Sequence, residues 1–286
     1  LKAIGAIMPG REVHGVGYCL GGTLLSIAAS AMARNSHQPF RSLSFFAAQV
    51  DFEDPGELQL FIDESQVQFL EDMMWEQGFL DAKQMSGAFQ LLRSNDLFWS
   101  SNMHKYLMGE RSTMIDLIAW NADSTRMPYR MHSEYLRGIF LENRISAGRF
   151  AVEERVIALK DISVPLFVIG TESDHIAPWR SVYKTALFTG CDMHFLLTKG
   201  GHNGGILSEP GHKRRHYRVG HRPAGRLYRD PDTWLAAHEP VEGSWWPEWG
   251  RWLVRQSGGT VPARVPGSHP DYPALADAPG TYIHQS

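Results

Sequence analysis

With 286 residues, 43% of them hydrophobic and 21% charged, the chain is long and apolar enough to bury a sizeable core as one domain with room for a cap. A formal charge of −3 without a long single-sign run gives no reason to expect nucleic acid as a partner, and no apolar run reaches membrane-spanning length. Two cysteines, Cys19 and Cys191, are too few for a disulfide framework, and without a signal-peptide pattern in these residues the expectation is a reducing cytosol.

Val13–Tyr18 alternates apolar positions with glycines, and residues 22–33 are rich in Ala, Leu and Ile without a breaker. Strand then helix is predicted, with Cys19 at the junction. Residues 42–48 and 165–170 are apolar runs of strand length, and Met193–Thr198 is a third, which together suggest a parallel sheet. Between 51 and 149 the pattern turns helical. Asp63 with Gln66 three residues on resembles a capping box, Val67, Leu70 and Met74 share a face, and Gly78 stops the helix. Beyond about Pro210 the chain is rich in Pro, Gly, Arg and Trp, which reads as a tail wrapped over the core. The expected organisation is therefore a strand, elbow and helix at 1–50, a cap insertion at 51–149, a return to the core at 150–209, and a packed tail at 210–286.

Gly17-Tyr18-Cys19-Leu20-Gly21 is the segment with chemistry in it. A sharp strand-to-helix turn forces a nucleophile into a strained conformation, and both flanking positions are expected to be glycine because a side chain there would collide with its neighbours. The helix start presents backbone N–H groups and a partial positive charge that favour a thiolate. The pattern taken alone also fits a small buried cysteine packing a helix on a sheet. Two later segments add to it. Asp174 follows the strand at 165–170, and His202, within Gly200-Gly201-His202-Asn203-Gly204-Gly205, follows Met193–Thr198. Nucleophile, acid, histidine is the chain order of the α/β-hydrolase triad, and the three are expected to converge at one end of the sheet. The bland readings are a helix N-cap for Asp174 and a glycine-rich surface turn for His202.

Around these positions the chain resembles the class I polyhydroxyalkanoate synthases over nearly its whole length. Gly17-Tyr18-Cys19-Leu20-Gly21-Gly22-Thr23 is similar to that family's lipase-like box with cysteine. Asp51-Phe52 with Pro55-Gly56-Glu57-Leu58, Leu92-Arg93-Ser94-Asn95-Asp96-Leu97, and Trp120-Asn121-Ala122-Asp123-Ser124-Thr125 with Pro128 and His132 resemble its cap segments. Asp174-His175-Ile176-Ala177-Pro178-Trp179 and Gly201-His202 resemble its acid and histidine loops. Gly243-Ser244-Trp245-Trp246-Pro247 and Ala278-Pro279-Gly280-Thr281-Tyr282 resemble its tail.

The resemblance implies an α/β-hydrolase fold with a helical cap, and polymerisation of (R)-3-hydroxyacyl-coenzyme A into polyester with release of coenzyme A. It assigns Cys19 as nucleophile, His202 as base and Asp174 as the residue that orients His202. The backbone N–H of Leu20 is one expected oxyanion donor. No cofactor or metal is implied, coenzyme A being part of substrate and product. A polyester granule surface in the cytoplasm and a homodimer are implied as partners and place. The cap is expected to cover Cys19 in one state and to open for substrate. Because the chain opens at Leu1 and reaches Cys19 so soon, a piece of a longer enzyme is expected, truncated before the earlier core strands and the loop with the second oxyanion donor. A cysteine hydrolase of the same fold, or a non-catalytic granule partner, are the other readings the residues allow.

Of the remaining features, Cys191 reads as structural. Lys213, Arg214, Arg215, His216 and Arg218 form a basic stretch that reads as a solvated loop or, less simply, a phosphate contact. Trp245, Trp246, Trp249 and Trp252 are expected to pack the tail onto the core.

Overall fold

Strand β1 (Val13–Tyr18) passes into helix α1 (Leu20–Arg34) with Cys19 as the single residue between them. The computed structural model describes residues 1–81, 84, 103, 106–109, 116, 119–120 and 126–281. The family-like stretches at 92–97 and 121–125, and Tyr282, lie outside the described residues.

After α1 come β2 (Phe40–Phe46), β3 (Leu166–Thr171), β4 (Met193–Thr198), β5 (His216–Arg222) and β6 (Val241–Glu242). These six strands form one sheet in which spatial order follows chain order. β1 to β4 are parallel, and β5 and β6 are antiparallel to their neighbours. Every residue of β3 is buried, as expected of a strand covered on both faces. The pairs Tyr18 with Phe46, Phe46 with Ile169, and Thr171 with Thr198 align the C-terminal ends of the four parallel strands. Cys19, Asp174 and His202 all leave the sheet from that edge, where open α/β sheets place their ligands. A nucleophile elbow after one strand, an acid and a histidine after two later ones, make this an α/β-hydrolase fold.

The stretch beyond 210 departs from the expected tail. It supplies β5 and β6 to the sheet itself, and helix Trp246–Gln256 lies against it. Trp245 and Trp252 are 0% exposed and meet Phe46 and Phe167 with ring centroids 5.2 Å apart in each pair. The tryptophans pack this stretch onto the core, as expected, with Trp245 and Trp252 buried inside it and Trp246 and Trp249 against it.

The chain divides into two compact units, Leu1–Gly56 with Asn143–Leu275, and Glu57–Glu142 with Ala276–Ser286. Residues 51–56 and 143–149, read from sequence as cap, lie in the first unit. Contacts there hold the segment after β2. Thr23 donates to the Gln49 carbonyl at 2.7 Å, Ser181 donates to the Asp54 carbonyl at 2.8 Å, and Lys184 pairs with Asp51 at 2.7 Å. Within the second unit, helix Glu64–Gln77 begins where the Asp63 carboxylate accepts from the Gln66 N–H at 2.8 Å and ends at Gly78, whose φ is 78°. Only half of the capping box forms, since the Gln66 side-chain oxygen is buried without a partner. Arg137 holds Glu71 at 2.7 Å and Glu64 at 2.8 Å in the same unit. Among the described residues no helix is long and apolar enough to cross a membrane.

Candidate active site

Cys19 has φ 52° and ψ −129°, a region that non-glycine side chains enter only when the surroundings force them. The forcing contacts are local. The Cys19 N–H donates to the Phe46 carbonyl at 2.9 Å, which ties the turn to the end of β2. A Cβ on Gly17 would come within 2.4 Å of the Gly22 backbone, and one on Gly22 within 2.4 Å of the Ala48 Cβ. Gly21 differs from the expectation, because a Cβ there meets nothing within 4 Å. The crossing of strand and helix thus needs glycine two residues before Cys19 and three after it.

His202 stands on a turn closed upon itself, with the Gly205 N–H donating to the Gly201 carbonyl at 2.8 Å. Gly200, at φ 128°, approaches Gly205 so closely that a Cβ would lie 2.7 Å from it, so the glycines permit a tight loop and not a loose one. His202 Nδ1 lies 2.9 Å from Asp174 Oδ2 and 3.2 Å from Oδ1. Asp174 in turn accepts from the Thr171 hydroxyl at 2.8 Å, the Ile176 N–H at 2.9 Å and the Ala177 N–H at 2.8 Å. The helix N-cap reading of Asp174 does not hold, because the next helix begins at Trp179 behind Pro178 without a side-chain cap. The carboxylate instead ties down its own loop through the Ile176 and Ala177 N–H groups while it holds His202.

The electrostatics follow from burial and partners. The Asp174 side chain is 0% exposed and that of His202 12%. Burial favours a neutral Asp174, but the hydrogen bond and charge of His202, the Ala177 N–H and the Thr171 hydroxyl outweigh it and hold the carboxyl below its usual range. Burial likewise opposes charge on His202, yet the hydrogen bond and charge of Asp174, with the influence of Cys19, push its pKa up to about 10. Both Asp174 and Cys19 thus favour the charged imidazole. With Nδ1 committed to Asp174, Nε2 is the ring nitrogen left for another partner. Leu20 opens α1, and the first N–H groups of a helix have no acceptor within it.

Several residues hold this arrangement without having been assigned a part in it from sequence. Tyr18 reaches the Asn203 side-chain oxygen and, at 3.2 Å, the His202 carbonyl oxygen. Its phenol is pushed well above the usual range by burial and by the negative charges of Cys19 and Asp174, so it remains a proton donor. Trp245 and Trp246 donate their indole N–H groups to the carbonyls of Gly205 and Ile206, both at 3.0 Å, just past the histidine. The signal available was their place in recognised segments, beside Cys19 and in Ser244-Trp245-Trp246.

Cys191 is buried, and burial pushes its thiol up to about 11, which makes it a poor nucleophile. In the basic stretch, Arg218 and His216 are committed to Glu172, at 3.2 and 3.1 Å, and Arg215 donates to the Lys199 carbonyl. His132 is buried in the second unit, and burial lowers its pKa.

No family model matches the chain. It is 39% identical over 284 residues to a poly(3-hydroxyalkanoate) polymerase of Methylorubrum extorquens, covering 99% of this chain and 46% of that protein. It is 38% identical over 273 residues to the poly(3-hydroxyalkanoate) polymerase subunit PhaC of Rhizobium meliloti, covering 96% and 44%. To that of Cupriavidus necator it is 32% identical over 293 residues, covering 98% and 49%. The chain thus spans about half the length of the curated relatives it matches. Among solved structures, a hydrolase from Pseudomonas aeruginosa aligns with a TM-score of 0.41 at 13% identity, over 72% of this chain and 63% of that one. A non-heme bromoperoxidase BpoC of Mycobacterium tuberculosis aligns at 0.38 and 14%, over 71% and 64%. The fold assignment rests on the strand order and the elbow, not on these likenesses.

Proposed function

The chain belongs to the poly(3-hydroxyalkanoate) polymerase family, matching its members over nearly all of its own length, and on that premise we propose that it is the C-terminal catalytic region of a polyester synthase acting on (R)-3-hydroxyacyl-coenzyme A. The observation that carries the proposal is His202 held by Asp174 at 2.9 Å, on loops that leave the same end of the parallel sheet as the Cys19 turn.

In the proposed reaction Cys19 sulfur attacks the thioester carbonyl carbon, and any proton on the thiol passes to His202 Nε2. A carbon–sulfur bond forms to Cys19, the bond to coenzyme A breaks, and the coenzyme thiolate leaves with the proton from His202. The 3-hydroxyl of another unit then attacks the enzyme thioester, gives its proton to His202, and returns Cys19 as thiolate. A thioester suits this role because it stays more reactive towards a hydroxyl than an oxygen ester would. The Leu20 N–H supplies one hydrogen bond to the tetrahedral oxyanion. Asp174 stabilises the charged imidazole and fixes its tautomer. Coenzyme A arrives and leaves as part of substrate and product. Attachment to a polyester granule in the cytoplasm, and a homodimer, belong to the same proposal.

The test is to supply 3-hydroxybutyryl-coenzyme A to the complete gene product and follow free thiol and insoluble polymer together. Thiol with polymer supports the synthase. Thiol without polymer identifies a cysteine hydrolase of the same fold, and neither product leaves a non-catalytic granule partner.

A further inference from the structure

At the end of the sheet opposite Cys19, Asp192, His194 and His221 stand together. His194 and His221 are direct partners across the β4–β5 ladder, and Asp192 lies two residues before His194. The two-residue repeat of an extended chain puts all three on one face. One ligand atom of each lies within 4.8 Å of the other two. Asp192 Oδ2 is 2.6 Å from His221 Nε2, and Oδ1 is 3.8 Å from His194 Nδ1. The two imidazoles stack with centroids 4.4 Å apart. His194 Nδ1 is buried and has no hydrogen-bond partner. A buried ring nitrogen aimed at a carboxylate but out of bonding reach is an unmet demand that packing does not explain.

We propose that Asp192, His194 and His221 form a binding site for a divalent transition-metal cation of the zinc type, which ties β4 to β5 and is separate from the Cys19 site. Two imidazoles and one carboxylate are the donor set that suits such an ion, whereas magnesium and calcium prefer all-oxygen sites. Bonds of about 2.0–2.2 Å in tetrahedral geometry bring ligand atoms to about 3.4 Å apart. From a spread of 4.8 Å at most, side-chain rotation closes the gap on a ladder whose backbone is already in register. Asp192 and His221 are 35% and 45% exposed, so a fourth position is open to water. Binding displaces the proton that His221 Nε2 shares with Asp192 and gives His194 Nδ1 its missing partner. Arg255 and Glu248, also near His194, carry opposite charges.

Cobalt(II) titration of the complete, metal-free protein tests the site, because tetrahedral cobalt absorbs in the visible and cobalt bound to thiolate adds a distinct sulfur charge-transfer band. Wild type is expected to develop the visible absorption without that band, saturating at one ion per chain, and Cys19→Ala to behave the same. His194→Ala and His221→Gln should each lose the signal, and zinc should raise the Tm of wild type but not of His221→Gln. His221→Gln is half-exposed and keeps a polar side chain, so its fold can be verified by an unchanged metal-free Tm. No absorption in wild type, absorption that survives in His221→Gln, or absorption lost in Cys19→Ala would each overturn the proposal, the last by assigning the ion to the cysteine site.

Discussion

The hydroxyl of Tyr18 reaches across to the carbonyl oxygen of His202 at 3.2 Å, and their rings lie 5.2 Å apart. The same hydroxyl bonds the Asn203 side chain. The residue immediately before the nucleophile therefore holds the loop that carries the base, and a positional error in one is shared by the other.

Tyr18→Phe removes only the oxygen. Thiol release from substrate is expected to fall roughly two- to tenfold, the kinetic equivalent of one net hydrogen bond of about 0.5–1.5 kcal/mol. Asn203→Ala should give a similar loss, and the double variant should lose little more than either single, because both act through one contact. Full additivity, or wild-type rates in Tyr18→Phe, would show that the loop is held by other means.

On the proposed mechanism the two cysteines behave oppositely. Cys19→Ala is expected to cut thiol release by about a thousandfold or more while unfolding at the wild-type temperature. Cys191→Ala, which empties a buried site beside no reacting group, should keep most of the activity with a modest fall in Tm. The reverse pattern would sink the assignment of the nucleophile.

The His202–Asp174 pair should also be legible in stability. The His202 pKa is raised from 6.5 to about 10, so its contribution is fully present below pH 6.5 and is lost as pH rises through about 10. Asp174 is lowered from 3.8, so its contribution is present above 3.8 and is lost as pH falls through the folded value. The difference in Tm between wild type and Asp174→Asn is thus expected to be largest between about pH 4 and 6.5 and to narrow toward pH 10. A difference that stays constant over that range would mean that no charged pair forms.

The elbow glycines separate cleanly. Gly17→Ala and Gly22→Ala each place a methyl group 2.4 Å from another atom and should destabilise the fold by about 1–3 kcal/mol in denaturant unfolding. Gly21→Ala meets open space inside a helix and is expected to be neutral or to stabilise by up to about 1 kcal/mol. Equal losses at all three positions would contradict the packing described here.

What the sequence by itself determined were the features written in neighbouring residues. Val13–Tyr18 and Met193–Thr198 announce themselves as strands through apolar pattern, Asp63 and Gly78 mark a helix by its ends, and Cys19 falls at a strand-to-helix junction that glycines make sharp. The chain order of Cys19, Asp174 and His202 was legible for the same reason, since each follows a recognisable strand. Tertiary structure alone decided the rest. β5 reads His-Tyr-Arg-Val-Gly-His-Arg, a polar stretch that looks like loop until Glu172 and the His238 carbonyl are seen to take Arg218, and the Thr189 and Cys191 carbonyls to take Arg222. That Gly22 and not Gly21 bears the close approach depends on Ala48, two residues past the end of β2. Asp174 meeting His202, and His194 meeting His221 across a ladder, are relationships between distant positions. Local periodicity encodes which face a residue takes on its own element, but the partner it meets there is set only when the sheet brings separate segments into register.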